Sequence, residues 1–436
     1  MSFTFHLVIP DQAGDRILLI ADGQGWTLPR TPGTERTEVL EVGRTIHERL
    51  GLDVVVLRSA LAEEIDQFEG SVFLLTENLT DRDPTEGRWW DEGDLRTLEV
   101  SDPRDRTAAL AWFEEARDAE PAPLQPWQRE GWFATASAWI REVVSGVDEI
   151  AQFATWCNSC VLRVRASGRA LYFKASPEYF LREAEVTAML SRFFPGVVPD
   201  VVALDRSRGW MLLEDLGEAF VSTLSPDAWT RALDAVASLH RRSVPVVDQM
   251  LEGGCLDRRP PVLAAQIEAL AEEETVTLPE GLRPRLRAVV GRLQEMCIEL
   301  GASPIPSTLV HGDLHADNIA RTERGYVLFD WTDACVATPF VDFLTFVHNF
   351  GPASNDPVVR RAFRDRYLDA WSDFVPRTEA IEWYERAKPL AAMHHAVTYR
   401  GIFDAFGPGE WWQFSWALPW WIEKALNSPI LRRNEP

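Results

Sequence analysis

The sequence predicts an α+β chain in which a small mixed unit comes first and a strand-rich region that turns helical follows. Three observations predict it. In the first 117 residues the short apolar runs FTFHLVI, RILLI, VVVLR and SVFLLT surround one helical segment, TEVLEVGRTIHERLG. Prolines and small residues in DAEPAPLQP, residues 118–126, then interrupt the pattern as a linker does. Beyond Gly217 the apolar spacing is mainly that of helices.

Each element has a local reason. The first helix should stop at Gly51, because glycine readily takes the left-handed conformation that ends a helix. A second helix is expected from Trp127 to Val144, with Trp132, Ala136, Trp139 and Val143 on one stripe. The runs EIAQFATW, CVLRVRA and ALYFKAS read as strands, the last two joined by a tight hairpin at Ser167-Gly168. SPEYFLREAEVTAMLSRFF opens with Ser176 as a cap and Pro177 at the first helical position, so it reads as a helix. GWMLLEDLG returns to strand, and SPDAWTRALDAVASLHRR and RPRLRAVVGRLQEMCIELG are helices. The chain shows no repeat at solenoid periods. These breaks divide it into residues 1–117, a linker at 118–126, a strand-rich part at 127–216 and a helical part at 217–436.

A chain of 436 residues exceeds one core at about 150 residues per domain, so several compact units are expected. A formal charge of -23 offers no footprint for a phosphate backbone or an anionic membrane; it reads first as a charge that keeps the chain in solution and second as one that concentrates cations, cationic small molecules included. Nucleic acid and membrane are therefore not expected as partners. The sequence has no apolar window near the roughly 18 residues of a spanning helix and no basic leader, which predicts a cytoplasmic protein. Five scattered cysteines fit a reducing compartment, and the CxxC of Cys157 and Cys160 lacks two further zinc ligands at comparable spacing. It reads as a turn between strands.

The chemistry is concentrated in LVHGDLHADNIA, residues 309–320, and LFDWTDA, residues 328–334. Such polar crowding between apolar segments suits a magnesium nucleotide and an acceptor hydroxyl, because phosphoryl transfer needs charge neutralisation, positioning and a carboxylate for the hydroxyl proton. Asp313 stands five residues before Asn318, the interval between base and metal ligand in a kinase catalytic loop. Asp330 comes twelve residues after Asn318, and a hairpin across Thr322-Glu323-Arg324-Gly325 would return it beside that asparagine. An amide oxygen and a carboxylate could then share Mg²⁺.

HGDLHADNIA with LFDWTDA resembles the aminoglycoside phosphotransferase and choline kinase group, relatives of the protein kinases, over roughly residues 127–436. The resemblance implies a bilobal protein-kinase-like fold, with a small β-rich N-lobe at 127–216 and a helical C-lobe at 217–436. It implies ATP and Mg²⁺, with Asp313 as catalytic base, Asn318 and Asp330 as metal ligands, His311 bracing the loop and Asp342 as the structural aspartate behind it. A kinase fold also needs a strand lysine and a helix glutamate. Lys174 in ALYFKAS fits the first. At 100° per residue Glu183 falls on the apolar stripe of Val186, Leu190 and Phe194, whereas Glu185 shares its face with Arg192, so Glu183 is the candidate. GWMLLEDLG resembles the strand and hinge that hold adenine, placing Glu214, Asp215 and Leu216 near the base. Departures are plain. There is no GxGxxG; TWCNSC occupies that turn and leaves the phosphates to backbone and to Asn158 or Ser159. Asp333 reads as an exposed turn acid ahead of a helper at the metal.

The first 117 residues carry a second resemblance: GWTLPRTPG, RTIHERLGL and GRWWDEGDL are similar to a Nudix domain in order and spacing. The family's helix holds divalent ions through Arg-Glu-x-x-Glu-Glu; here those positions read Arg44, Thr45, Glu48 and Arg49, so hydrolysis is expected to be lost.

The leading expectation is an ATP-dependent transfer of the γ-phosphate to a hydroxyl of a small molecule: an aminoglycoside, amino alcohol, sugar or similar natural product. Two alternatives stand beside it, a catalytically silent nucleotide-binding regulatory module and a Nudix-type hydrolase with an accessory kinase-like half. On the acceptor side, Trp411, Trp412, Trp416, Trp420 and Trp421 are aromatic candidates, with core packing the first reading for Trp412, Trp416 and Trp420. His394 and His395 read first as one packed and one exposed histidine, with one touching substrate as the alternative, and Glu382, Glu385 and Asp404 as solvated acids or partners of an ammonium group.

Overall fold

The computed structural model describes residues 2–33, 39–60, 69–117, 124–274, 278–348, 356–406 and 415–432. Most of the expected linker, and Trp411 and Trp412, lie outside the described residues. Two compact units emerge: residues 1–177 with 210–213, and residues 178–209 with 214–436.

In the first unit, strands β1 (Ser2–Val8), β2 (Ile17–Ala21), β3 (Trp26–Thr27) and β4 (Arg30–Gly33) precede helix α1 (Leu40–Leu50). Strands β5 (Val54–Ser59), β6 (Glu69–Asn78) and β7 (Arg88–Trp90) lead to helices α2 (Glu92–Thr97) and α3 (Pro103–Glu115). The sheet runs β4-β1-β6-β5; β1 and β6 are parallel and the other pairs antiparallel. Alternation along β6 builds a core on each face. Val72 and Leu74 pack with Val42, Ile46 and Leu50 of α1, while Phe73 and Leu75 pack with Ala109 and Trp112 of α3. Gly51 ends α1 with φ 70° and its N–H on the His47 carbonyl, as expected. Asp105 of α3 is fully buried. Its carboxylate pairs with His6 Nδ1 at 2.6 Å and accepts from Thr27 Oγ1 at 2.6 Å, from the Leu28 N–H at 3.1 Å and from Arg30 Nη2 at 3.1 Å, which pins α3 to three strands.

The same unit continues with α4 (Trp132–Val143), β8 (Val147–Thr155), β9 (Cys160–Ala166) and β10 (Arg169–Ala175), an antiparallel ladder that the strand Trp210–Glu214 joins beside β10. Ser167 and Gly168 both have positive φ, the conformation a two-residue hairpin requires. The second helix begins at Trp132, later than expected, because Gly131 at φ 79° breaks it from the 3₁₀ turn Pro126–Gln128. Its buried stripe steps by four through Trp132, Ala136 and Ile140, leaving Val143 exposed. Trp132, Trp139, Phe173 and Trp210 then meet edge-on or tilted with centroids 5.4–6.1 Å apart.

The second unit opens with α5 (Arg182–Phe193), preceded by the 3₁₀ turn Glu178–Phe180. Ser176 and Pro177 thus lead into a tightened turn before the α-helix starts, a common form of helix entry. After β11 (Val201–Asp205) and β12, the Trp210–Glu214 strand, come α6 (Pro226–Ser243), α7 (Val247–Glu252), β13 (Leu256–Asp257), α8 (Pro260–Glu272) and α9 (Leu282–Gly301). Then follow β14 (Thr308–Val310), the hairpin β15 (Ile319–Thr322) and β16 (Gly325–Leu328), β17 (Cys335–Ala337) and α10 (Phe340–His348). Helices α11 (Pro357–Asp369), α12 (Arg377–Ala405) and α13 (Ala417–Leu426) complete the helical body. Helix α10 is buried on every side, with Phe340, Val341, Phe343, Phe346 and Val347 packed beside the polar Asp342 and Thr345, as befits a helix at the centre of a core. Among the described residues no helix is long and apolar enough to cross a membrane.

Candidate active site

The loop after β14 is held from behind. Asp342, in the first turn of α10, accepts the His311 N–H at 2.7 Å on one oxygen and the Gly312 N–H at 2.9 Å on the other. His240 Nε2 lies 3.0 Å from the first of these oxygens, and its Nδ1 lies 2.8 Å from the Tyr367 hydroxyl. Burial alone would push the Asp342 carboxyl up. The hydrogen bond and charge of His240, with the His311 N–H, bring it below the ordinary carboxylate range. Gly312 is required here: at φ 90°, a Cβ would sit 2.4 Å from the Asp333 carbonyl oxygen. The His311 ring donates from Nε2 to the Phe329 carbonyl at 2.7 Å and packs on Trp331, so the first loop is tied to the second.

Asn318 is buried, and its side-chain N–H reaches back to the Asp313 carbonyl at 3.0 Å, closing the loop around the two residues. That use of the amide nitrogen leaves its oxygen as the group to offer a ligand. The β15–β16 register pairs Ile319 with Leu328, and the Phe329 N–H donates to the Asn318 carbonyl at 3.0 Å. Asp330 therefore emerges one residue beyond Asn318's own partner. It adopts φ 65°, ψ 61°, a left-handed conformation shared among the described non-glycine residues only with Ser167. A non-glycine residue held there stores strain, and at Asp330 the conformation turns the side chain out of the hairpin to an exposed position.

The electrostatics are those of crowded acids. Half of the Asp313 side chain is open to solvent, with a side-chain exposure of 49% that lets an acceptor reach it. Crowding by protein on its other sides pushes its carboxyl above the ordinary range; His315 and His311 pull it back, and Asp330 and Asp342 add to the rise. Asp333 is pushed up to about 7 by burial and by Asp313, against the pull of Arg182. His315 lies between Asp313 and Asp317, with nitrogens 3.9 Å and 3.4 Å from their carboxylates; burial lowers its pKa, but these acids raise it overall. An oxygen-only donor set of Asn318 and Asp330, surrounded by acids that raise one another's pKa, fits a hard divalent cation such as Mg²⁺.

The remaining candidates are placed as follows. Glu183 lies fully buried in the first turn of α5, while Glu185 is exposed and pairs with Arg206 at 2.6 Å. Next to Glu183, Arg182 donates to the Thr332 carbonyl at 3.0 Å and to the Tyr179 carbonyl at 2.9 Å, tying the start of α5 to the segment after Asp330. Glu214 and Leu216, both half-buried, follow at the end of β12, before Gly217 at φ 75°. Lys174 belongs to the first unit, on β10 opposite Val161 of β9. His311, Asp313, Asn318, Asp330 and Asp342 are thus brought together by one loop, one hairpin and one helix.

Several readings change. Asp333 is half-buried, because the 3₁₀ turn Trp331–Asp333 packs it beside Gly312. His240 braces the loop from a helix some seventy positions earlier, and nothing in its sequence surroundings signals this. Both His394 and His395 are buried: His395 stacks on Trp421 at 4.1 Å and bonds Thr345 Oγ1 at 2.8 Å. Trp416 and Trp420 are exposed at 47% and 44%, since Leu418, Trp421, Ile422 and Ala425 form the buried face of α13. Lys424 lies over the rings of Trp420 and Trp421. Glu385 and Asp404 are paired with Lys388 and Arg400, and Glu382 is exposed.

The sequence profile of the phosphotransferase enzyme family matches residues 139–381. No curated protein matches the sequence. Similar solved structures include a choline/ethanolamine kinase family protein from Mesorhizobium loti, at 16% identity and TM-score 0.47, covering 69% of this chain and 97% of that one. A Plasmodium vivax ethanolamine kinase aligns at 12% identity and TM-score 0.48, covering 78% and 98% respectively. An aminoglycoside phosphotransferase from Streptomyces rimosus, in complex with ADP and streptomycin, aligns at 16% identity and TM-score 0.42, covering 59% and 98%.

Proposed function

Because the chain belongs to the phosphotransferase enzyme family, we propose that it transfers the γ-phosphate of ATP, held with Mg²⁺, to a hydroxyl of a small natural product. It is a small-molecule kinase with a hydroxyl acceptor. The observation that carries the assignment of roles is the loop pinned by Asp342, which presents Asp313 and Asn318 beside the turn that presents Asp330.

The acceptor oxygen attacks the γ-phosphorus as the bond to the β,γ-bridging oxygen breaks, ADP leaves, and the hydroxyl proton passes to Asp313. A carboxyl raised by its surroundings is a better acceptor of that proton than an ordinary aspartate. Asn318 and Asp330 would hold the cation, which when bound offsets charge on the β- and γ-phosphate oxygens. We assign Lys174 to the phosphates, Glu183 as the helix glutamate that a kinase fold calls for, and the backbone at Glu214 and Leu216 to the base. Asp333, pushed up to about 7 by burial and by Asp313, shares the electrostatics of the same loop.

The acceptor we favour is cationic, an amino alcohol or an aminoglycoside, drawn by the acidic chain. The division we favour is a Nudix-like region at 1–117 without catalysis, a linker at 118–126, an N-lobe at 127–216 and a C-lobe at 217–436, in a cytoplasmic protein. Loss of hydrolysis is supported by Arg44, which pairs with Glu41 and lies 4.0 Å from Glu48, so that a guanidinium occupies the ground a metal would need. A screen for ADP release against hydroxylated metabolites and antibiotics, with mass spectrometry of the phosphorylated product, tests the reading. Asp313→Ala should abolish transfer while Mg·ATP still binds; unchanged turnover would remove the base assignment.

A further inference from the structure

Two edge strands face one another inside the first unit. β5 is the last strand of its sheet and β8 the last of the other, and each is bulged where they meet. The register of β5 slips between Val56 and Arg58, and that of β8 between Gln152 and Ala154. Bulges disrupt a ladder locally and re-aim main-chain and side-chain groups. Here the two sheets stay separate, and one side chain replaces the missing ladder. Gln152 accepts the Val56 N–H on Oε1 at 2.7 Å and donates from Nε2 to the Val56 carbonyl at 2.7 Å. The bulged Phe153 turns its carbonyl to the Val39 N–H, 3.0 Å away at the entry to α1.

The contact continues into the turn that follows β8. Trp127, fully buried, donates from its indole nitrogen to the Trp156 carbonyl at 2.7 Å, and the Trp156 N–H closes the turn on the Ser159 carbonyl at 2.8 Å. Arg58 on β5 donates to the Gln128 carbonyl at 3.0 Å, one residue from Trp127, and pairs with Glu115 of α3. A continuous set of hydrogen bonds therefore runs from the amino-terminal sheet to the turn 156–159.

We infer that the amino-terminal region braces this turn, with Gln152 and Trp127 as positioning residues, so that nucleotide affinity depends on side chains that do not themselves touch the nucleotide. The inference rests on the proposed reading of the turn as the segment over the phosphates. Removing the amide while keeping the side-chain length lets the turn drift from the conformation that the nucleotide selects, and affinity falls by the fraction of time the turn is misplaced.

The test uses the full chain and calorimetric titration with Mg·ATP and Mg·GTP, following whichever binds the unaltered protein. Gln152→Met should weaken binding roughly tenfold, the scale of losing two hydrogen bonds. Trp127→Phe, which keeps a ring and loses the donor, should weaken it several-fold and serves if the first variant does not fold. Ile46→Val trims the core of the amino-terminal sheet away from the brace; it should lower the melting temperature and leave nucleotide affinity unchanged. If Ile46→Val weakens binding as much as Gln152→Met, general loosening explains the effect and the brace is overturned. Alanines at Asn158 and Ser159 together test the underlying reading. Weakened binding there with none in Gln152→Met or Trp127→Phe overturns the brace alone, whereas unchanged binding there overturns the reading of the turn and the brace with it.

Discussion

Two acidic clusters in this molecule look alike in sequence and differ in what surrounds them. In α1, Glu41 and Glu48 flank Arg44, and Arg49 pairs with Glu86, so each carboxylate has a guanidinium within reach. Between 313 and 333, burial and neighbouring acids push the carboxyls of Asp313 and Asp333 up, with Asp330 adding to the rise of both, while Arg182 and Arg258 pull Asp333 back. Acidic residues whose carboxyls are pushed up together by burial and by one another mark a candidate ligand site. Where an arginine sits among them, they mark a surface.

The sharpest way to break the comparison is Asp313→Asn. It should cut the rate of ADP release in the presence of acceptor by about a thousandfold, the scale of a lost general base, while Mg·ATP still binds. A loss below tenfold would put the catalytic cluster on the same footing as the one in α1. Next in size, Asp342→Ala leaves His240 and two loop N–H groups buried without their acceptor. It should cost about 3 kcal/mol in urea unfolding, together with activity, because removing one partner from a buried polar pair is far costlier than losing a surface contact. Retained activity with the stability loss would separate the scaffold from the chemistry.

A smaller effect comes from groups the core keeps neutral. Burial lowers the pKa of His394 well below its ordinary 6.5, and burial with Lys424 nearby lowers that of His395 to about 3. The unfolded chain takes up protons below pH 6.5 that these folded histidines refuse, so their contribution is complete above that pH and lost as the pH falls toward 3. The slope should approach about 1.4 kcal/mol per pH unit for each histidine. Urea midpoints measured from pH 7 to pH 5 should fall accordingly, and His395→Asn should flatten the decline. The depressed Asp342 adds a loss of the same sign at lower pH, below its ordinary carboxylate range. The smallest effect is expected at the other cluster. Glu48→Gln, in an exposed ion pair, should change neither the urea midpoint nor the rate of transfer measurably. A loss of transfer there would give the α1 acids a role the geometry denies them.

Much of the site could be read along the chain because it is local. His311, Asp313 and Asn318 share one loop, and a hairpin whose turn residues are visible at Thr322–Gly325 returns Asp330 by strand register. Glu183 could be separated from Glu185 by helical phase, a property of neighbouring residues. The misreadings have a different origin. Trp416 and Trp420 repeat at helical spacing, yet which stripe of α13 turns inward depends on the helices it packs against. His395 is packed by Trp421 and Thr345, both remote in sequence, and Asp333 is half-buried because the turn after Asp330 folds onto Gly312.

What the sequence by itself determined is the set of local conformations: where glycine permits a stop or a tight loop, which helix face carries an acid, and which residues a hairpin brings level. These follow from backbone sterics and from side-chain periodicity, which act over a few residues. The tertiary structure alone decided which acids would have a cation nearby, that His240 would stand behind the loop, and that Gln152 would join two sheets through a single amide. Charge, burial and hydrogen-bond satisfaction depend on distance in space, and pattern along a chain does not contain it.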